Sequence, residues 1–269
     1  MKTTILSSPS NPLVKELRAL AQKKNRQARG EFLVEGIQPV LQAAQSGAPV
    51  TLLVVAPDLL TSAAARAMLR AQERAGTRIV NVSRAVLESF AEREHPSGLA
   101  AVVKMTARTL DSLRVDADAV FVALWQVSNP GNLGSILRTA DAVNARGVVV
   151  IGAATDPYAP AAVKASRGAL FTAPLVRVEK VQDFLDWGTM QGVRMVAASD
   201  QAAQDLWHAD LRPPCALVFG NEGEGLPDDV LHAANAVRIP MSGQVDSLNL
   251  AVAASVLLYE VKRRMSSEQ

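Results

Sequence analysis

Apolar positions recur along this chain in two rhythms, one of helical spacing and one of short continuous runs. From Asn11-Pro12 onward, Leu13, Leu17 and Leu20 fall at helical spacing in an otherwise basic segment, which predicts a helix opened by the proline. Phe32-Leu33-Val34 reads as a short strand ended by Gly36. Ile37 to Gln45 returns to helical spacing, and Thr51 to Ala56 is an apolar strand closed by Pro57. A helix over Ala63 to Gln72, a strand over Arg78 to Val82, a helix over Ser83 to Glu92 and a strand over Leu99 to Val103 follow. His95-Pro96-Ser97-Gly98 supplies the turn before that last strand. These elements make an α/β module of roughly a hundred residues.

Between Thr106 and Ala117 the periodicity lapses and charged residues gather, so a linker is placed at 108–117 between a first domain, 1–107, and a second, 118–269. Beyond it the predicted strands are Ala119 to Trp125, Gly147 to Ile151, Leu175 to Val178, Arg194 to Ala198, Ala216 to Phe219 and Ala236 to Ile239. Helices are predicted over Gly134–Asn144, Val181–Met190 and Leu248–Arg264. Continuous apolar strands alternating with helices imply a parallel sheet covered on both faces.

Composition narrows the chemistry. One cysteine, Cys215, excludes an intramolecular disulfide and a Cys-cluster metal site, and His95, His208 and His232 have no zinc spacing, so no metal is expected. No run is long enough to span a membrane, and Met1 to Ile5 leads into Ser and Pro rather than an apolar signal core; a cytoplasmic setting is expected. Net charge is only +2, but it is unevenly placed. Residues 1–110 hold 15 Lys/Arg against 8 Asp/Glu, and Lys15, Arg18, Lys23, Lys24, Arg26 and Arg29 crowd the start. A basic first half points to an anionic partner such as RNA. Aromatic residues are 4% of the chain, too few for a surface built mainly on base stacking, and Trp125, Trp187 and Trp207 are read as core or interface residues.

Three loops after predicted strands carry small and polar residues: Asn129-Pro130-Gly131-Asn132-Leu133-Gly134-Ser135, then Gly220-Asn221-Glu222-Gly223-Glu224-Gly225, then Pro240 to Asn249 with Asp246, Ser247 and Asn249 clustered at its end. In parallel α/β sheets ligands bind outside the carboxyl ends of strands, where such loops converge. Neither the dinucleotide nor the phosphate-loop glycine pattern is present, which counts against a nucleotide-linked oxidoreductase. Each loop taken alone is an ordinary Gly-rich connection.

Together, and in this order, Asn-Pro-x-Asn-x-Gly-x-x-x-Arg-Thr-Ala, Gly-Asn-Glu-Gly-x-Gly and Ile-Pro-Met-x-Gly-x-x-x-Ser-Leu-Asn-x-x-x-Ala resemble the SpoU branch of the SPOUT RNA ribose 2′-O-methyltransferases. The segment Lys164-Ala165-Ser166-Arg167-Gly168-Ala169 extends the resemblance, and Phe32-Leu33-Val34-Glu35-Gly36 with Pro96-Ser97-Gly98 resembles the family's small, ribosomal-protein-like N-terminal α/β domain. The resemblance implies a C-terminal α/β trefoil-knot domain with a parallel sheet, S-adenosylmethionine as cofactor, and RNA, ribosomal rather than transfer RNA, as substrate. It implies a homodimer through the C-terminal domain, with Leu248 to Met265 as contact helix. By motif position it assigns Gly220, Asn221, Ile239, Met241 and Leu248 to the cofactor, with Gly220 leaving room for the adenine.

The same carry-over assigns Asn132, Arg138, Glu222, Ser247 and Asn249 to the reaction. A ribose hydroxyl is a poor nucleophile while protonated, so the site must orient it and stabilise the charge that develops. A guanidinium does not deprotonate in proteins, so Arg138 is expected to pair with a phosphate and stabilise the alkoxide, with the proton passing to phosphate, water or Glu222. Ser247 and Asn249 are expected to orient the hydroxyl and the cofactor carboxylate. The alternative is a non-catalytic RNA-binding or ribosome-assembly factor that retains the fold; a binder has no need of all five polar residues.

Overall fold

The computed structural model describes residues 4–92, 95–245 and 247–267. Contacts divide the described residues into two units, one of residues 4–106 with 156–172, the other of 107–155 with 173–267. The first contains β1 (Ile5–Leu6), α1 (Pro12–Ala19), α2 (Lys23–Arg29), β2 (Glu31–Glu35), α3 (Ile37–Gln45), β3 (Val50–Val55), α4 (Ala63–Arg74), β4 (Arg78–Val82), α5 (Arg84–Glu88) and β5 (Leu99–Lys104). Its sheet has the order β1-β4-β3-β5-β2; β1, β4 and β3 run parallel, and β5 is antiparallel to β3 and β2. Side chains alternate across a strand. Leu52 and Val54 of β3 pack with Val14, Leu17 and Val86 on one face, Leu53 and Val55 with Phe32, Val40 and Leu99 on the other. Burial on both faces explains why β3 reads as an unbroken apolar run.

From there the chain forms β6 (Val120–Trp125), α6 (Pro130–Ala142), β7 (Gly147–Ile151), α7 (Pro160–Ser166), β8 (Leu175–Val178), α8 (Val181–Met190), β9 (Arg194–Ala198), β10 (Gln204–Asp205), β11 (Cys215–Phe219), α9 (Asp228–Ala233), β12 (Asn235–Arg238) and α10 (Leu250–Ser267). All but α7 belong to the second unit. Its seven strands are all parallel, in the order β10-β12-β9-β11-β6-β7-β8. Phe121 and Trp187 meet edge to face at 5.2 Å in its core, a geometry worth about 0.5–1.5 kcal/mol beyond area burial. After β12 the chain returns to pack α10 on α6 and β11, where Thr139 and Ser255 share a 3.0 Å hydroxyl hydrogen bond. Such an out-and-back course is what the implied knot needs.

Two segments differ from the linear reading. Leu110, Leu113 and Val115, within or beside the expected linker, pack against the second unit's core, and the Leu113 side chain occupies the place a Cβ on Gly147 would take. Residues 156–172 group with the first unit although the sequence places them in the second domain. Their anchor is a buried ion pair: Arg26 Nη2 lies 2.7 Å from Asp156 Oδ2, and Arg26 Nη1 also donates to the carbonyls of Leu20 and Ala21. Asp156 Oδ1 accepts from the Tyr158 N–H, and Val163 of α7 joins the core beside Phe32. A charge held this way satisfies the hydrogen-bonding needs of its burial.

Candidate active site at the carboxyl edge of the parallel sheet

Parallel strands deliver their carboxyl ends to one edge, so the loops after β6, β11 and β12 all leave from the same side of the second unit. Asn129 sets the first. Its side-chain oxygen accepts from the N–H groups of Gly131 (2.7 Å) and Asn132 (3.2 Å), and Pro130 follows at the first helical position. This cap starts α6 four residues earlier than the apolar spacing alone predicts, and it places Asn132 in the first turn, buried.

Asn132 joins all three loops. Its Nδ2 donates to Glu222 Oε1 at 2.9 Å, and its Oδ1 accepts from Asn249 Nδ2 at 3.1 Å. An ionised carboxylate only accepts, so Asn132 must turn its NH₂ toward Glu222 and its oxygen toward Asn249. Ser128 Oγ donates to the other carboxylate oxygen, Oε2, at 3.2 Å. Asn249 Oδ1 accepts from the Ala251 N–H and so caps the start of α10. Partial burial pushes the Glu222 carboxyl up. Hydrogen bonds from Asn132, from its own backbone and from Ser128 outweigh that, and its pKa lies below the ordinary glutamate value. Glu222 is therefore an ionised acceptor with both oxygens engaged, a poor proton acceptor.

The second loop closes on itself. Asn221 and Gly225 exchange two backbone hydrogen bonds of 3.0 Å, Asn221 Oδ1 accepts from Gly223 N–H, and Asn221 Nδ2 donates to the Gln126 carbonyl at 2.9 Å. Gln126 adopts a left-handed φ of 49° at that point, an uncommon conformation for a residue with a Cβ. A Cβ on Gly220 would lie 2.2 Å from the Gly225 carbonyl carbon. The loop's own backbone fills the space a side chain at position 220 would need, so closure of the turn already requires the glycine. Asn221 shapes the loop with its N–H and its side chain.

Arg138 lies on the exposed side of α6 and forms no ion pair or hydrogen bond among the described residues, neither with Asp141 nor with any other group. Ser247 is exposed, Ile239 and Leu248 are half-buried, and Met241 keeps 37% of its surface open. Asp246 lies outside the described residues. Half-open apolar side chains beside a polar cluster fit a ligand with an aromatic base at one end and charged groups at the other, as S-adenosylmethionine has. Among the described residues no group of three or more His, Cys, Asp and Glu is placed to hold a metal, and no helix is long and apolar enough to cross a membrane.

Sequence reasoning did not assign roles to Ser128 and Asn129, although an Asn-Pro step before an apolar run is a recognisable helix start. It also grouped six cations that separate here. Arg26 is buried in its ion pair, Arg29 pairs with Glu16 and Glu31, and Arg18 donates to the carbonyls of Ser89 and Pro9. Lys15, Lys23 and Lys24 remain exposed and unpaired among the described residues.

A family model described as the SpoU rRNA Methylase family matches residues 119–259, and one described as an MRM3-like substrate binding domain matches 11–101. The chain is 35% identical to a 23S rRNA (uridine(2479)-2′-O)-methyltransferase of Streptomyces viridochromogenes, over 96% of this chain and 91% of that one. It is 34% identical to the 23S rRNA (guanosine-2′-O-)-methyltransferase RlmB of Ralstonia nicotianae, over 74% and 82%. A crystal structure of an AdoMet-bound rRNA methyltransferase from Sinorhizobium meliloti superposes with a TM-score of 0.89 at 32% identity, covering 98% of this chain and 99% of that one.

Proposed function

Because the chain belongs to the SpoU rRNA methylase family, we propose that it transfers a methyl group from S-adenosylmethionine to a ribose 2′-hydroxyl of ribosomal RNA. The observation that carries this reading is Asn132 hydrogen-bonded at once to Glu222 and Asn249, which gathers three distant motifs at one edge of the sheet. The cofactor, when bound, supplies an electrophilic methyl on a sulfonium. Everything else falls to the side chains.

Ser247 orients the 2′-hydroxyl, and the Asn132–Glu222–Asn249 network holds the loops on either side of it in one arrangement. Arg138, exposed and unpaired, is free to take a backbone phosphate bidentately and to stabilise the developing alkoxide. With both Glu222 oxygens accepting and its pKa low, the proton leaves to phosphate or water, and Glu222 acts as a positioning residue. Ile239, Met241 and Leu248 line the apolar part of the cofactor, with the backbone of the turn at Gly220 beside them. Exposed Lys15, Lys23 and Lys24 of the first unit supply phosphate contacts, so RNA affinity falls steeply with salt.

The chain acts as a homodimer. Leu250, Ala251, Ala254, Leu257, Leu258 and Val261 bury one side of α10, while Val252 and Tyr259 expose 49% and 56% of their surface seven residues apart on another. That stripe is an apolar contact face for a second copy, and Arg138 serves its own or the partner's site.

Tritium transfer from labelled S-adenosylmethionine to ribosomal RNA of cells lacking the protein, followed by mapping of ribose methylation, tests the reading. Labelling at one ribose is expected. Calorimetric cofactor binding without transfer to any RNA would favour the non-catalytic binding factor.

A further inference from the structure

Of the three tryptophans, Trp187 is buried at 3% exposure and Trp125 is half-buried, but Trp207 exposes 54% of its surface, and its indole N–H has no partner among the described residues. Tryptophan is highly buried on average, and its N–H usually finds a partner when it is.

Its mounting is rigid. Trp207 sits between Leu206 and Ala209, which are 0% and 3% exposed. Arg264 donates to the carbonyls of Leu206 (2.6 Å) and Ala209 (2.5 Å), and Glu260 holds Arg264 at 2.7 Å. The Leu206 N–H donates to the Arg238 carbonyl, and the His208 N–H to that of Asp205. The aromatic group is exposed on a backbone pinned on both sides.

Its place is informative too. β10 pairs in parallel with β12, Gln204 opposite Val237 and Asp205 opposite Arg238, so Trp207 stands just past the carboxyl end of its strand, beside the start of the third loop at Ile239 and Pro240. It shares the sheet edge with the candidate active site. Three strand spacings separate β10 from β11, about 14 Å at ~4.8 Å per strand. That separation suits a nucleotide flanking the target, not the target itself.

We propose that Trp207 is a stacking platform for an unpaired base neighbouring the methylated nucleotide, a positioning contact that rests on the RNA methyltransferase reading above. Base–aromatic stacking tolerates any base, and the free indole N–H adds a donor for a phosphate or a base edge. A second copy of the chain is the competing occupant, because Arg264 of α10, five residues past the exposed Tyr259, holds the turn that carries Trp207. Sedimentation of the Trp207 variant separates the two.

Filter binding of full-length protein to ribosomal RNA, without methyl transfer, tests it alongside calorimetric cofactor binding and sedimentation. Trp207→Ala is expected to weaken RNA binding about ten-fold, Trp207→Phe to restore most of it, and cofactor affinity to stay as in the unsubstituted protein. RNA should quench tryptophan fluorescence in the unsubstituted protein and much less in Trp207→Phe. Equal RNA affinity for the Ala variant overturns the proposal, as does an altered oligomeric state on sedimentation, which makes Trp207 a protein contact. If the unsubstituted protein binds RNA but methylates none, the catalytic reading fails while the comparison of variants still decides the role of Trp207.

Discussion

The amide of Asn132 donates a 2.9 Å hydrogen bond to the carboxylate of Glu222, a residue ninety positions further along the chain. The same amide's oxygen accepts from Asn249, so its geometry dictates that of both other loops. Replacing Asn132 by Ala leaves Glu222 short of a donor and Asn249 short of an acceptor. Methyl transfer is expected to fall by about two orders of magnitude, with a stability loss of about 1–3 kcal/mol from the groups left unpaired. Single-turnover transfer and urea unfolding measure the two effects separately.

Arg138 makes no bond inside the described protein, so Arg138→Lys removes nothing from the fold. Thermal stability and cofactor binding should stay unchanged while transfer drops about 10²-fold, because an ammonium lacks the planar fork that grips a phosphate. Near-full activity of the lysine variant would rule out the phosphate-clamp role. Asp141→Ala is the control and should change nothing.

Gly220→Ala sets a methyl 2.2 Å from the Gly225 backbone, and backbone cannot give way as a flexible side chain can. The turn from 220 to 226 must open. Cofactor affinity by calorimetry should collapse, and the melting temperature should fall with it, by an amount equivalent to about 1–3 kcal/mol.

Hydrogen bonds from Arg263, then burial acting against them, then Arg264 set the Glu260 carboxyl, whose pKa drops from 4.5 to about 2. A carboxyl depressed in the folded state binds its proton more readily when unfolded. Its stabilisation is therefore complete above about 4.5 and is lost as pH falls toward about 2. Glu260→Gln should be less stable than the unsubstituted protein at neutral pH and should flatten the pH dependence across that window in chemical denaturation. Because Arg264 also pins the Leu206–Ala209 turn, the variant should gain tryptophan mobility, read as lower fluorescence anisotropy.

Val252→Asp or Tyr259→Asp places a charge on the exposed stripe of α10. Sedimentation should shift from dimer to monomer without loss of helical circular dichroism. A dimer that survives both substitutions would move the interface elsewhere.

The apolar runs of β3, β6, β7 and β11 were readable because each is buried on both faces over at least four successive residues, which favours Val, Leu, Ile, Ala and Phe in series. β1 and β10, two residues each, are too short to show any period, and α7 and α9 hold fewer than two full turns. The motif loops were readable for a different reason: a closed turn such as Asn221–Gly225 requires particular small and polar residues in immediate succession, and local chemistry leaves a local mark.

Long-range choices leave no such mark. That Asn132 meets both Glu222 and Asn249, and that Arg26 is buried against Asp156 while Lys15, Lys23 and Lys24 stay open, depend on which distant segments the fold brings together. So does the exposure of Trp207, which the chain shows only as one more large aromatic residue. Composition and period set which segments become strands, helices and turns, because those preferences act within a few residues. Which charge is neutralised and which aromatic faces water is settled only when sheet order brings distant segments together, because burial and pairing are properties of the packed chain.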